Sequence, residues 1–201
     1  LYKLDFTQYE TEDKRLMLSN IYELVPAELL KQNRRFAVTD IKKGLHFERV
    51  ESSFLWLQNA GVVISVYNAT EPRTPLKLKE KQSLFKLYLS DVGMLTSIYG
   101  MDTKTKILSK DKHQNGGGLY ENAVASELAN RGFSLYYYNS RRLGELDFVV
   151  EYQGRSLPIE VKSGKDYTVH SALSNCVNNP EYDIDEAFVF AAVVFAKRFA
   201  I

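Results

Sequence analysis

The sequence predicts a mixed α/β protein, on three observations. Its first ninety or so residues read as short helices followed by a hairpin. Its last two-fifths or so reads helix, three strands, helix, strand, with β-branched and aromatic runs in place of helical periodicity. Hydrophobic residues make up 45% and charged residues 25% of the 201, which is the composition of a packed globular chain and excludes a disordered one.

Between Asp13 and Gln32, the apolar residues Leu16, Ile21, Leu24, Val25, Leu29 and Leu30 recur at helical spacing, and Pro26 is expected to kink or divide the segment. A short helix is expected from Thr39 to Lys43, closed by Gly44. A third spans about Phe47 to Ala60, where Phe47, Val50, Phe54 and Leu57 form one stripe and Gly61 is the stop. Val62 to Tyr67 is rich in β-branched residues and reads as a strand, with Phe85 to Leu89 as its return. Three helices and a hairpin are the order of a winged-helix module; a helical domain with an incidental hairpin is the plainer alternative.

Asp91 to Ile98 reads as a helix, and the polar stretch that follows, with Lys104, Lys106, Lys110 and Lys112, runs to Gly116-Gly117-Gly118. That glycine run is expected to be a flexible connector. The predicted division is therefore a winged-helix-like module over 1–90, a connector over 91–118 and a second domain over 119–201. In the second domain a helix covers Leu119 to Arg131. Strands cover Phe133 to Tyr138, Leu146 to Glu151 and Leu157 to Lys162, the last two joined by a turn at Tyr152-Gln153-Gly154-Arg155. A helix from about Tyr167 to Val177 and a buried strand from Ala187 to Phe190 follow, and beyond Phe190 the pattern is unreadable.

With Lys+Arg 26 against Asp+Glu 25 the formal charge is +1, so any nucleic-acid surface must be local. No apolar run reaches the roughly 20 residues of a membrane helix. The single cysteine, Cys176, excludes an intrachain disulfide and a cysteine-rich zinc site, and fits a reducing cytoplasm. No signal peptide is recognisable, and the first residue, Leu1, suggests a piece of a longer protein.

Two carboxylates and a lysine stand out as candidates to carry chemistry. Glu160 and Lys162 are two apart on a strand, so they share a face, while Ile159 and Val161 point to the other, into a core. If the hairpin closes at Gln153-Gly154, Asp147 lies near the level of Glu160. Such a pair suits a hard divalent cation, and the lysine can orient a water or offset charge on a phosphate. Glu121, on the preceding helix, can add a carboxylate. The same residues also read as a solvated strand edge with Asp147 capping a turn.

The series Gly118-Leu119-Tyr120-Glu121-Asn122, Gly144-Glu145-Leu146-Asp147-Phe148-Val149 and Pro158-Ile159-Glu160-Val161-Lys162-Ser163-Gly164 resembles the PD-(D/E)XK nuclease superfamily. Within that superfamily it is more similar to one branch, the C-terminal region of prokaryotic AAA-type ATPases. Ile21 to Phe36, Trp56 to Gly61 and Phe85 to Gly93 are similar to the segment that joins the ATPase to the nuclease-like domain in those proteins. The resemblance implies a restriction-endonuclease-like mixed sheet, with Asp147 and Glu160 as ligands of Mg²⁺ or Mn²⁺, Lys162 as the catalytic lysine and Glu121 as an auxiliary acid. It implies DNA as partner and phosphodiester hydrolysis as activity; a catalytically inactive appendage that binds DNA or protein is the rival. No G-x-x-x-x-G-K-[ST] loop occurs, so ATP is assigned to no residue here, and the implied ATPase module is expected before Leu1.

Other residues carry weaker signals. His46, His113 and His170 lack metal-ligand spacing, although His170 is the one expected near the site. Tyr136-Tyr137-Tyr138 suits base stacking or a core strand. Lys31, Arg34, Arg35, Lys42, Lys43 and Arg49, with Arg141-Arg142, are candidates for phosphate contact or for a solvated face.

Overall fold

The computed structural model describes residues 10–109, 116–163, 170–191 and 194–200. Helix α1, Glu12–Leu30, buries Leu18, Ile21, Tyr22, Val25 and Leu29, a three-four spacing that lays one stripe against the core. It runs through Pro26 without dividing, and Leu16, expected on the stripe, is 58% exposed. A single turn, α2 (Val38–Ile41), and a 3-10 turn at Phe47–Arg49 lead into α3, Glu51–Asn59. Val50, Phe54 and Leu57 are buried together as expected, and the Phe54 ring sits 5.4 Å from Phe36 and 4.9 Å from Phe85.

Strand β1 (Val63–Ala69) pairs antiparallel with β2 (Glu80–Leu89) across a long link that holds a 3-10 turn, Leu76–Lys79. Helix α4 (Val92–Ile98) starts at Asp91, whose Oδ1 accepts the Met94 N–H at 3.2 Å, and α5 (Met101–Leu108) follows. Then come α6 (Gly117–Asn130), β3 (Tyr136–Ser140), β4 (Gly144–Tyr152) and β5 (Arg155–Lys162). The chain closes with α7 (Ser171–Val177), β6 (Glu186–Ala191) and β7 (Val194–Ala200). The expected start of α7 near Tyr167 lies outside the described residues.

All seven strands form one mixed sheet in the order β2-β1-β3-β4-β5-β6-β7. Pairs β1/β3 and β5/β6 are parallel; the others are antiparallel. The hairpin expected to be the wing of a separate module is thus one side of the common sheet, joined to it at Tyr67↔Tyr136, Asn68↔Tyr137 and Ala69↔Tyr138. One apolar cluster unites Leu18, Leu29, Phe54 and Leu57 from the front with Tyr137, Phe148 and Ile159 from the back. A smaller one under α7 gathers Leu146, Val149, Leu173, Cys176 and Val189. All three tyrosines of 136–138 are buried in β3, so their rings pack the core and do not offer a stacking surface.

The described residues of the stretch expected to be a connector are largely helical. Gly117 and Gly118 form the first turn of α6, and a Cβ at Gly118 would collide with the Leu29 carbonyl of α1. The glycine is there because two helices approach, and the linker reading is corrected. No helix among the described residues is long and apolar enough to cross a membrane.

Candidate functional site

The site is built on the β4–β5 hairpin. Its two-residue turn has Gln153 at φ 51° and Gly154 at φ 79°, the double positive-φ geometry that matches strand twist. The register that follows, Tyr152↔Arg155 through Phe148↔Ile159, brings Asp147 to the level of Glu160. On its other side β4 carries one more residue than β3 between the pairs Tyr136↔Val149 and Tyr138↔Leu146. Such a bulge re-aims a side chain. Asp147 Oδ2 accepts the Val161 N–H at 2.8 Å, which pins the carboxylate beside β5.

Glu160 is 8% exposed. Its Oε1 accepts from Lys162 Nζ at 2.6 Å, so the two side chains share a face, while Oε2 is buried with no hydrogen-bond partner. Ile159 is buried in the core and Val161 packs against it, as the alternation requires. Glu121 reaches the same place from α6. Its Oε1 lies 2.7 Å from Arg34 Nη1, and its Oε2 accepts from Tyr88 Oη at 2.8 Å. The helix is held in rotation by the neighbouring Asn122, whose amide bonds both the N–H and the C=O of Leu89 at 2.9 and 2.8 Å.

Glu121, Asp147, Glu160 and Lys162 all line one cavity of about 380 Å³, together with Arg34, Gly117, Val161 and Ser163. Burial pushes the Glu160 carboxyl up to about 7, with Asp147 adding to the rise and Lys162 opposing it. Burial and then Asp147 likewise raise Glu121 to about 7 against the pull of Lys86, Arg34 and Tyr88.

Sequence reasoning missed the floor of this site. Lys86, on β2, has 0% exposure; its Nζ lies 2.8 Å from Glu145 Oε1 and 3.9 Å from both Asp147 Oδ1 and Glu121 Oε2. Burial lowers its pKa, but Glu121, Asp147 and Glu145 outweigh that and hold it above the ordinary lysine value. Glu145 lies below its usual range: burial pushes it up, and the Lys86 ammonium, with the Asn139 amide and Arg35, more than offsets this. The available signal was a lysine inside the apolar run Phe85-Lys86-Leu87-Tyr88-Leu89, since lysines are almost never fully buried unless paired.

The expected basic cluster is split. Lys31 is tied to Glu28 and Asp40, both at 2.6 Å, Arg34 to Glu121, and Arg35 to Glu145 at 3.5 Å. Lys42, Lys43, Arg49, Arg141 and Arg142 are exposed. His46 is exposed, His170 precedes α7 and does not line the cavity, and His113, Lys110, Lys112 and Gly164 lie outside the described residues. Among the described residues no group of three or more His, Cys, Asp or Glu side chains is placed to hold a metal ion.

Fold and site define a mixed α/β protein in which carboxylates from a helix and two central strands meet in one ion-paired cavity. The chain belongs to the family described as "Domain of unknown function (DUF8612)", which matches residues 1–105. Residues 116–194 match a second family, "Domain of unknown function (DUF4143)", a domain found in AAA-ATPase-associated proteins. No curated protein and no solved structure matches the chain.

Proposed function

We infer that this cavity is a site for metal-dependent phosphodiester hydrolysis and that DNA is the substrate. The observation that carries the reading is the meeting of Glu121, Asp147, Glu160 and Lys162 in one cavity with Glu160 Oε2 buried and bare. A buried carboxylate oxygen without a partner is costly, and a cation is one way to satisfy it. Hard oxygen donors fit Mg²⁺ or Mn²⁺; two carboxylates, with waters and substrate phosphate completing the shell, are a usual Mg²⁺ set, whereas an all-protein cage is not what these residues offer. Asp147 and Glu160 would hold the ion, which supplies Lewis acidity and lowers the pKa of a bound water.

The chain's own residues do the rest. Lys162 Nζ, beside Glu160, positions a water or balances charge on the phosphate. Glu121, with its carboxyl near 7, can hold or release a proton at the cavity wall. The restriction-endonuclease-like identity of the sheet, and a role as the C-terminal part of an AAA-type ATPase whose ATP site lies outside this chain, belong to the same reading. The buried free thiol of Cys176 suits a cytoplasmic setting.

One observation favours the rival, a non-catalytic module that binds DNA or protein. Glu121 faces Arg34, Glu160 faces Lys162 and Asp147 faces Lys86, so the cluster already carries internal counter-charges. Folds of one kind serve both roles. Calorimetry with Mn²⁺ beside cleavage of plasmid and single-stranded DNA separates them. The enzyme reading expects binding heat and cleavage in the wild type and neither in Asp147→Asn or Glu160→Gln. It expects retained binding with slowed cleavage in Lys162→Ala. A folded wild type with no heat and no cleavage would sink it.

A further inference from the structure

We propose that Lys86 is the fixed counter-ion of this site, a positioning residue from the region matched by the first family that holds together the carboxylates of the region matched by the second. The inference deepens the metal-site reading and rests on it for its binding arm alone.

Lys86 cannot touch a substrate, because no part of it reaches solvent. Its ammonium lies against three carboxylates, on α6 (Glu121) and on β4 (Glu145 and Asp147), and 5.2 Å above the Tyr137 ring on β3. A buried ammonium survives only when its charge is repaid locally, and here the repayment comes entirely from residues beyond Gly116. The converse also holds. Glu121 is raised by Asp147 and Glu160 by both, so these three carboxylates repel one another, and Lys86 opposes that repulsion from inside the protein. Arg34 and Lys162 oppose it from the cavity wall, where a phosphate or an ion can displace them; Lys86 has nowhere to go. The front hairpin therefore supplies a charge that stays in place whatever occupies the cavity.

A lysine that merely fills space and one that balances charge differ in what happens when it is removed. Lys86→Met keeps the stem and deletes the charge. At pH 8 it should lower Tm by on the order of 10 °C, and Mn²⁺ should restore more of that loss than it adds to wild type. Calorimetry should show Mn²⁺ binding roughly tenfold tighter, because a cation then meets carboxylates with one less internal partner. A Tm loss with Mn²⁺ affinity unchanged or weaker would make Lys86 a packing residue and overturn the proposal. If wild type binds no Mn²⁺, the metal reading fails and the metal-free arm decides. Adding Glu121→Gln to Lys86→Met should recover much of the lost Tm, or restore folding where the single variant fails to fold. Losses that add, or a double variant that is also unfolded, would overturn it.

Discussion

The molecule contains two antiparallel hairpins whose support differs. The β4–β5 hairpin closes on a two-residue turn and pairs without interruption over Tyr152↔Arg155 to Phe148↔Ile159. The β1–β2 hairpin is joined by a long link, slips register between Tyr67 and Asn68, and has its far end clamped by an asparagine from α6. The first hairpin is specified by its own residues. The second depends on what packs against it, and through Lys86 and Tyr88 it repays that support by forming the floor of the site.

The largest effect should come from the contact that seats α6. Gly118→Ala would ordinarily stabilise a helix by up to about 1 kcal/mol, but here the new methyl meets the Leu29 backbone. Overpacking against backbone should reverse the sign and cost about 3 kcal/mol or more. Chemical denaturation of the variant checks this. A neutral or stabilised Gly118→Ala would show that α1 and α6 are not in the contact described.

Next is the clamp itself. Asn122 is fully buried and its amide satisfies both backbone groups of Leu89. Asn122→Ala strands the buried Leu89 N–H and leaves the Leu89 carbonyl only the Ser126 hydroxyl at 3.3 Å, at about 2–3 kcal/mol. Hydrogen exchange should show the loss concentrated in the C-terminal half of β2, with β4 and β5 protected as before. Uniform loss across both hairpins would erase the distinction between them.

Part of this difference was legible in the sequence. Gln153-Gly154 between two apolar runs specified the back hairpin, and its register carried Asp147 to Glu160. The parallel pairing of β1 with β3 was not legible, because nothing local in Val62 to Tyr67 says which strand will lie beside it. The helix α5 was hidden in a lysine-rich stretch, where charge obscures a short amphipathic pattern. Asp147, Glu160 and Lys162 could be grouped from the sequence because they sit on one hairpin, whereas Glu121 reaches the same cavity from α6. Lys86 and Tyr88, and the pairing of Arg34 with Glu121, escaped because those partners are brought together by tertiary folding alone. The basic cluster misled for the same reason: adjacency along the chain does not say which cations turn inward.

The back hairpin also predicts a pH dependence. Glu160 is raised to about 7 in the folded protein, above the ordinary carboxyl value of 4.5, chiefly by burial. The folded state then binds the proton more tightly than the unfolded one, so stability should fall as pH rises from about 4.5 through about 7. Glu121 contributes with the same sign. Glu160→Gln should therefore be more stable than wild type at pH 8, by roughly 1–3 kcal/mol, and show a flatter profile. Melts between pH 5 and 8 read both. A wild type that gains stability with rising pH would contradict the burial of a carboxylate with one unpartnered oxygen at that position.

The smallest effect on stability, and the sharpest test of which cations face outward, concerns the front surface. Arg34 and Arg35 are committed to Glu121 and Glu145, whereas Lys42, Lys43 and Arg49 are exposed just beyond them. Replacing those three with alanine should leave stability within about 0.5 kcal/mol, because surface positions away from caps and cores rarely matter more. Under the proposed function, its effect should fall on DNA binding. Each phosphate contact contributes about 0.9 to the slope of log affinity against log salt, so losing three should flatten that slope by as much as about 2–3. Arg34→Ala and Arg35→Ala should do the opposite, lowering stability by taking one counter-charge each from Glu121 and Glu145 while leaving most of the slope in place. An unchanged slope in the triple variant would mean that DNA, if bound, is met elsewhere. A slope carried by Arg34 would mean that the ion pair with Glu121 opens to admit a phosphate.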